Sequence, residues 1–340
     1  MLEQVPVGGV RLLSDVERAW LAGVVDGEGS IFITKLAPKL HPRYRRGFFY
    51  RAELSVANSD PRLLARVRDV VGKGYFGLDK ERSQNPKWRD KWQYKGSGLV
   101  LRGILPQILP YMTVKRRNAE AMLRYLEFVD EYPIDGLKAP PVGYDGKLDS
   151  LYLEVKQLNR EGSNESTEAD EKLPSWGPKG RGRGGRATGC RQLGESEKAW
   201  LAGVIDGEGS IFLSKVLNPK TRRGFFYLPT LSISNTNRPF LVKVAETIDE
   251  GSVCFAKKGD SKTKSRWMYI CSSGVIRAIL PQILPHMIVK RDRAVMMLRF
   301  LEFLDSNPIY GRKEVPKSYY DRLDALYREM KTLNMRGKAT

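Results

Sequence analysis

Histidine and cysteine are scarce in this 340-residue chain, which has two His and three Cys. The cysteines, Cys190, Cys254 and Cys271, lack metal-ligand spacing, so the sequence argues against a zinc site and against a disulfide framework. No run of apolar residues reaches the roughly 18 needed to cross a bilayer. The first residues, Met-Leu-Glu-Gln-Val-Pro, also lack the charged start and apolar core of a secretory signal. We therefore expect a soluble protein in a reducing compartment.

Acidic residues are outnumbered, with 39 Asp and Glu against 58 Lys and Arg and a formal net charge of +19. Such an excess predicts a polyanionic partner, either a nucleic acid or an anionic membrane surface. No basic amphipathic helix stands out, which disfavours the membrane surface. The absence of a P-loop and of a His-based site disfavours ATP-driven enzymes and zinc nucleases.

The chain contains an internal repeat. WLAGVVDGEGSIF at Trp20–Phe32 returns as WLAGVIDGEGSIF at Trp200–Phe212, and ILPQILP at Ile104–Pro110 returns at Ile279–Pro285. The segment RRGFFY also recurs and MLRYLEF returns as MLRFLEF, in the same order and with similar spacing. With 41% hydrophobic residues, each copy can bury its own core. The repeat therefore predicts two similar domains related by pseudo-two-fold symmetry.

The composition changes sharply between the two copies. GSNESTEADEK is polar and acidic, and GPKGRGRGGRATG is rich in Gly and Arg, so neither stretch can bury much apolar surface. We predict an N-terminal domain over residues 1–160, a flexible linker over 161–194 and a C-terminal domain over 195–340.

Each copy predicts a mixed α/β fold of the α+β type. Ser14 followed by Glu17 forms a capping box at the start of a helix, whereas the second copy has Gly194 at the cap position. The helix is expected to stop near Gly27–Gly29, a strand follows, and Phe48–Asn58 alternates as a second strand. The order α-β-β-α-β-β-α, with one more helix possible, predicts an antiparallel sheet covered by helices on one face. The polar, basic face opposite is suited to lie along DNA.

The repeated helix has a face of small residues that allows a second helix to approach closely. These residues are Ala19, Ala22 and Gly23 in the first copy, and Ala199, Ala202 and Gly203 in the second. Packing the two helices together would place their C-terminal ends side by side, where unpaired carbonyls carry partial negative charge. Glu28 and Glu208 lie at these ends, so their proximity is unfavourable without a cation. Carboxylate and carbonyl oxygens suit Mg²⁺. An interface with solvated Glu residues is the alternative.

Leu21–Gly29 resembles the LAGLIDADG signature, and Leu201–Gly209 is a second match. The resemblance is to double-motif, single-chain LAGLIDADG homing endonucleases, and it covers nearly all of both halves. It implies a monomeric, pseudo-dimeric enzyme that makes a site-specific double-strand break in a long asymmetric DNA target. It also implies metal-dependent phosphodiester hydrolysis that leaves short 3′ overhangs. Mg²⁺ would be the cofactor, and Ca²⁺ could occupy the sites without turnover.

The resemblance also implies which residues form the catalytic site. The metal ligands would be Glu28, Glu208 and the carbonyls of Gly27 and Gly207. Asn58 and Asn235 would hold active-site water. Lys115 and Lys290 would offset charge on the phosphate or order the nucleophilic water, although an ordinary solvated helix start is equally compatible with these two Lys. Asp26 and Asp206 are interpreted as structural, because the metal carboxylate of the family is the later one.

The open sheet faces are expected to read base edges in the major groove. In the first copy the reading residues would be Ser30, Phe32, Thr34, Arg51, Glu53, Ser55, Lys91, Gln93 and Lys95. In the second copy they would be Ser210, Phe212, Ser214, Leu228, Thr230, Ser232, Arg266, Met268 and Ile270. Phosphate contacts are expected from Arg43, Arg45, Arg46, Arg222, Arg223, Lys257, Lys258, Lys262 and Lys264. Because the two reading sets differ in chemistry, the target should be asymmetric.

Two other functions remain open at this stage. An intron RNA maturase would need the basic surface but not both carboxylates, and a non-cleaving DNA-binding regulator would be expected to have lost one motif. Both motifs are intact, which favours the nuclease. The protein is expected to act in the compartment that holds its gene, whether mitochondrion, chloroplast or prokaryotic cytoplasm.

Overall fold

The computed structural model describes residues 9–37, 47–79, 90–133, 141–161, 190–257, 265–309 and 315–335. The chain divides into two compact units, Met1–Glu165 and Ser166–Thr340. This division lies inside the predicted linker, most of which, residues 162–189, lies outside the described residues. The end of the predicted linker belongs to the C-terminal unit, where the side chain of Leu193 is buried.

The N-terminal unit is a four-stranded antiparallel sheet with helices packed on one face. Its elements are α1 (Asp15–Glu28), β1 (Gly29–Leu36), β2 (Phe49–Asn58), α2 (Pro61–Val71), β3 (Tyr75–Leu78), β4 (Trp92–Ser97), α3 (Gly98–Ile108), α4 (Arg116–Glu131) and α5 (Tyr144–Glu161). The strands pair in the order β1-β2-β4-β3, and every pair is antiparallel. The predicted fold class is confirmed, and the elements follow the predicted order as far as α4, whereas the final helix α5 was not predicted.

The C-terminal unit repeats the same architecture. Its elements are α6 (Glu195–Glu208), β5 (Gly209–Leu217), β6 (Phe225–Asn235), α7 (Arg238–Ile248), β7 (Ser252–Lys257), β8 (Arg266–Ile270), α8 (Ser273–Ile283), α9 (Arg291–Ser306) and α10 (Lys317–Met335). The strands pair in the order β5-β6-β8-β7, again antiparallel throughout. In the described part of the chain, no helix is both long and apolar enough to span a membrane.

Helix α1 begins and ends where the sequence predicts. The Ser14 hydroxyl accepts the backbone N–H of Glu17, and the Glu17 carboxylate accepts the backbone N–H of Ser14. In α6, Gly194 supplies only its N–H, which donates to Glu197 at 2.9 Å. Gly29 connects α1 directly to β1, and a Cβ there would lie 2.7 Å from the carbonyl oxygen of Val25. Only glycine therefore fits this abrupt change from helix to strand.

Side chains of the strands alternate between the helix-covered core and an open face. In β1 and β2 the core side carries Ile31, Ile33, Ala52, Leu54 and Val56, all of them buried. The residues between them are partly or fully exposed. The period of two therefore separates the residues that stabilise the fold from those available to a ligand.

The last helix of each unit is attached to the sheet by a repeated set of contacts. The Tyr50 hydroxyl donates to Asp149 at 2.6 Å, and the Tyr50 ring stacks on Tyr152 with centroids 4.5 Å apart. The Asn159 amide donates to the carbonyl of Ile31 at 2.8 Å. The C-terminal unit repeats these contacts. The Tyr227 hydroxyl donates to Asp324, the rings of Tyr227 and Tyr327 stack, and the Asn334 amide donates to the carbonyl of Ile211. The structural repeat therefore includes the final helix.

The Ser14 cap predicts a specific pattern of stability changes. Ser14→Ala should lower the free energy of unfolding of the N-terminal unit by about 1 kcal/mol, because it leaves the first-turn N–H without its acceptor, whereas Ser14→Gly should cost only a few tenths. Urea unfolding, combined with hydrogen exchange at the α1 amides, measures both. An unchanged exchange rate at Glu17 in Ser14→Ala would contradict the role of this cap.

Candidate functional site

The end of α1 presents a carboxylate whose position is set by a neighbouring amide. Glu28 is the last residue of α1, and Asn58 is the last residue of β2. The Asn58 Nδ2 donates to Glu28 Oε1 at 3.0 Å, while the Asn58 Oδ1 accepts the backbone N–H of Asp60 at 2.9 Å. Because the backbone bond fixes which way the amide faces, its NH₂ group points to the carboxylate. Asn58 thus holds Glu28 directly.

The C-terminal unit builds the same turn beside Glu208, the last residue of α6. Asn235 ends β6, and its Oδ1 accepts the backbone N–H of Asn237 at 2.9 Å. The two Asn residues therefore occupy equivalent turns, each made by an Asn side chain accepting an N–H two residues on. The sequence placed these four residues in one catalytic set, and each unit brings its own pair to the same end of the motif helix.

The earlier carboxylate of each motif is buried and has a structural contact. Asp26 accepts the backbone N–H of Thr113 at 2.7 Å and of Lys115 at 2.9 Å. Asp206, with no exposed surface, accepts the backbone N–H groups of Ile288 at 2.6 Å and Lys290 at 2.9 Å. Burial raises the pKa of Asp206, and the two backbone N–H groups oppose that rise. These carboxylates bind the end of the motif helix to the segment that precedes α4 or α9.

The two lysines bind the carbonyl end of the motif helices. Lys115 Nζ donates to the carbonyls of Val25 at 2.8 Å and Asp26 at 2.7 Å. Lys290 Nζ donates to three carbonyls, those of Ile205 at 2.7 Å, Asp206 at 2.8 Å and Gly207 at 3.0 Å. The carbonyls of Val25 and Ile205 also accept the cap N–H groups of Gly29 and Gly209, so each ammonium group adds a second donor there and offsets the negative charge of the helix end.

Lys290 is only 9% exposed, so it is not the ordinary solvated helix start that the sequence left open. Its bond to Gly207 also bears on the predicted metal ligands, because that carbonyl oxygen already accepts a cationic donor. A metal ion at the same oxygen would have to share it with the ammonium group. The carbonyls of Gly27 and Gly207 stay predictions as metal ligands.

The donor set at each helix end fits part of a coordination shell for a hard cation. Among the residues that the structure describes, no group of three or more His, Cys, Asp and Glu could hold a metal ion. With Asp26 and Asp206 engaged by backbone N–H groups, Glu28 and Glu208 are the carboxylates of the motifs left at the surface of the helix ends. Carboxylate and carbonyl oxygens suit Mg²⁺, which usually keeps water and binds substrate phosphates as well.

The open face of the N-terminal sheet brings most of the predicted DNA-reading residues into adjacent positions. Across β1 and β2, Ser30 lies opposite Ser55, Phe32 opposite Glu53, and Thr34 opposite Arg51. Glu53 accepts the Thr34 hydroxyl at 2.8 Å and pairs with Arg51 at 3.2 Å. The remaining predicted residues lie along β4, where Lys95 is opposite Ser55, Gln93 is opposite Ala57 and donates to Asp79, and Lys91 precedes the strand.

The C-terminal sheet arranges its predicted residues in the same way, with one correction. Ser210 lies opposite Ser232, Phe212 opposite Thr230, and Ser214 opposite Leu228; along β8, Arg266, Met268 and Ile270 share this face. Ser232 is wrong as an accessible reading residue, because it is only 7% exposed. Its short side chain lies between those of Ser210 and Ile270 on the neighbouring strands.

The sequence reasoning missed the contribution of the outer strand to each face. Tyr75 lies beside Lys95, and in the C-terminal unit Ser252 and Cys254 lie beside Ile270 and Met268. Strand register joins residues distant in sequence, so alternation within β3 or β7 alone could not assign these positions. The internal repeat offers a signal, because Lys95 and Ile270 occupy equivalent positions in the two units. Tyr75 and Ser252 are the partners of these two residues on the outer strands.

The predicted phosphate contacts divide into several groups. Six of these residues lie outside the described residues, namely Arg43, Arg45, Arg46, Lys258, Lys262 and Lys264. Arg222 and Lys257 stay predictions. Arg223 has another role, because its guanidinium forms two bonds with Asp324 of α10, at 2.9 and 2.6 Å. The bonds to Asp324, supported by stacking of Arg223 over Phe225, attach the last helix.

The fold matches solved structures of LAGLIDADG homing endonucleases. I-SmaMI bound to uncleaved DNA in the presence of calcium ions superposes with a TM-score of 0.64 at 17% identity, covering 92% of this chain and 98% of that one. I-SmaMI bound to cleaved DNA gives 0.62 at 16% identity, covering 92% and 96%. I-LtrWI bound to target DNA gives 0.60 at 16% identity, covering 93% and 97%. No family model and no curated protein matches the sequence. At these identities the match establishes the fold.

The buried carboxylates predict unequal effects of two charge-neutralising substitutions. Asp206→Asn should lower the free energy of unfolding of the C-terminal unit by about 2–3 kcal/mol, because the amide NH₂ would face a backbone N–H in a buried place. Glu208→Gln, two residues away and partly exposed, should change it by about 0.5 kcal/mol or less. Equilibrium urea unfolding of the full chain compares the two. Equal losses would contradict the structural role of Asp206.

Proposed function

We propose that the protein is a site-specific DNA endonuclease that hydrolyses both strands of one duplex, with Glu28 and Glu208 as its essential carboxylates. The observation that carries the proposal is the contact of Asn58 with Glu28, which holds a carboxylate at the carbonyl end of a helix. The end of a helix is an unfavourable place for an anion unless a cation joins it. The same helix end recurs in the second unit, so one chain supplies two such sites.

Mg²⁺ is the proposed cofactor, with Ca²⁺ able to bind in its place without turnover. Glu28 and Glu208 would supply one carboxylate to each site, and phosphate oxygens of the DNA would complete the shell. A divalent ion there supplies Lewis acidity to the phosphate and a lowered pKa for a bound water. I-SmaMI, which has the same fold, is described as bound to uncleaved DNA in the presence of calcium ions, which supports divalent-ion use.

The other residues of each site act on position and charge. Asn58 holds the Glu28 carboxylate and so fixes where a ligand or water can bind beside it. Asn235, in the equivalent turn, is proposed to act in the same way. The ammonium groups of Lys115 and Lys290 keep positive charge at the helix ends, and we propose that this charge offsets the charge that develops on the scissile phosphate.

The open sheet faces and the net charge of +19 support DNA as the substrate. Basic residues would supply affinity through phosphates, while the residues of the open faces would supply sequence specificity. Because the two faces differ residue by residue, the proposed target is long and asymmetric. The cut would leave short 3′ overhangs. Binding should weaken steeply with salt, since each phosphate contact releases counterions.

The test is cleavage of a randomised double-stranded DNA library with Mg²⁺, followed by sequencing of the cut ends. The unmodified protein should give discrete double-strand cuts at one long asymmetric sequence, and the ends should carry 3′ overhangs. Glu28→Gln and Glu208→Gln should each lower the cleavage rate by about 10³-fold or more, because several kcal/mol of transition-state stabilisation depend on the metal carboxylate. Glu246→Gln, at an exposed position of α7, carries the same change in charge and should cut normally.

Two results would replace this proposal with another function. Sequence-selective binding without cutting, at any divalent ion tested, would identify a DNA-binding regulator. Absence of both cutting and selective DNA binding, together with specific binding of intron RNA, would identify a maturase. Loss of cleavage in Glu246→Gln equal to that in Glu28→Gln would show that net charge, and not the helix-end carboxylates, determines activity.

A further inference from the structure

Three positions on the open faces change from hydrogen-bonding side chains in the N-terminal sheet to aliphatic ones in the C-terminal sheet. Strand register defines the equivalences without reference to sequence similarity. Arg51 pairs with Thr34 as Leu228 pairs with Ser214. Gln93 and Lys95 of β4 correspond to Met268 and Ile270 of β8, because each pair faces equivalent residues of the central strand.

The aliphatic side chains are accessible to a ligand. Leu228 is 44% exposed and Ile270 is 38% exposed, while Met268 is partly exposed between Ser234 on one side and Cys254 on the other. These three, with Phe212 on β5, define what we call the apolar face of the C-terminal sheet. Phe212 and Leu228 lie diagonally across β5 and β6, and Met268 and Ile270 follow each other along β8, so the apolar side chains form two pairs on one face. Exposed apolar groups in this arrangement are available to contact a ligand.

The charges around the apolar face indicate the kind of partner. Arg266 is exposed on β8, and Lys257 is exposed at the end of β7, so cationic side chains border the face. The chain as a whole carries a net charge of +19, which disfavours a second copy as the occupant because two such chains repel each other. A polyanion that offers apolar groups between its phosphates fits both features.

In the major groove of DNA, the apolar group is the C5 methyl of thymine. Leu228, Met268 and Ile270 offer no strong donor or acceptor, so they cannot recognise the hydrogen-bonding edges of guanine, adenine or cytosine. Placing them against such an edge would bury polar groups without partners, which is costly. Placing them against thymine methyls buries apolar surface on both sides.

We propose that the C-terminal sheet reads its half-site mainly through thymine methyl groups, whereas the N-terminal sheet reads its half-site mainly through hydrogen bonds from residues such as Gln93 and Lys95. This inference rests on the proposed DNA-binding function and specifies its substrate. The half-site of the C-terminal unit is therefore enriched in thymine at the base pairs that face β6 and β8.

The first step of the test is selection of bound sequences from a randomised duplex library in Ca²⁺, which yields the target. The half-site of the N-terminal unit is identified as the one whose selected bases change in Lys95→Ala. Thymidine is then replaced by deoxyuridine, one half-site at a time, which removes the methyl groups and leaves every hydrogen-bonding group unchanged. Fluorescence anisotropy measures the Kd of each duplex.

Deoxyuridine in the C-terminal half-site should weaken binding by about fourfold for each contacted methyl, the value expected for one buried methyl group. Deoxyuridine in the N-terminal half-site should change the Kd by less than about twofold. Met268→Gln and Ile270→Lys, which restore the side chains of the N-terminal sheet, should reduce the penalty at the C-terminal half-site to below about twofold. Ile270→Val, the conservative control, should keep most of it, and a thermal melt of each variant verifies folding.

The outcomes separate failure of this inference from failure of the proposed function. Selection of a defined target with equal deoxyuridine penalties in both halves, or a penalty confined to the N-terminal half, would overturn methyl reading and leave DNA binding intact. Failure to select any sequence would overturn the proposed function itself. Concentration-dependent dimers in light scattering, abolished by Leu228→Arg, would assign the apolar face to a second copy and so overturn the inference.

Discussion

The buried carboxylate of Asp206 is the contact on which the geometry of the C-terminal site depends, and Asp26 has the same place in the N-terminal unit. Its two backbone bonds hold the segment before α9 against the end of α6. That segment brings in Lys290, whose ammonium group binds the last carbonyls of α6. Glu208 follows two residues later on the same helix. The buried carboxylate of Asp206 therefore positions the partly exposed carboxylate of Glu208.

The end of α6 carries more negative than positive charge, because the Asp206 carboxylate lies there as well as Glu208. Helix carbonyls and a glutamate contribute negative charge, and one buried lysine opposes it with hydrogen bonds of 2.7 to 3.0 Å. A phosphate arriving at such a site adds negative charge that the lysine alone does not offset. Under the proposed function, a divalent cation bound between the helix end and the phosphate would offset this charge, so the cation and DNA are expected to bind cooperatively.

The sequence predicted what depends on local pattern and failed where distant residues meet. The repeat, the Ser14 cap and the alternation in β2 follow from neighbouring residues, so the fold class and the ends of the motif helices were predictable. Three features depend on contacts between segments about 20 to 100 residues apart: the bond of Arg223 to α10, the burial of Ser232 beside Ile270, and the position of Tyr75 beside Lys95. No periodicity within one segment contains that information.

The alternation of the strands keeps the core and the reading surface on separate sides of the same backbone. Arg51 and Leu228 occupy equivalent positions with opposite chemistry, yet the buried residues beside them support the same sheet in both units. A substitution on the open face is therefore expected to leave folding nearly unchanged, whatever it does to a bound ligand. Under the proposed function, changes confined to one face of a duplicated unit would be enough to convert a palindromic specificity into a non-palindromic one, which would make the architecture evolvable toward new targets.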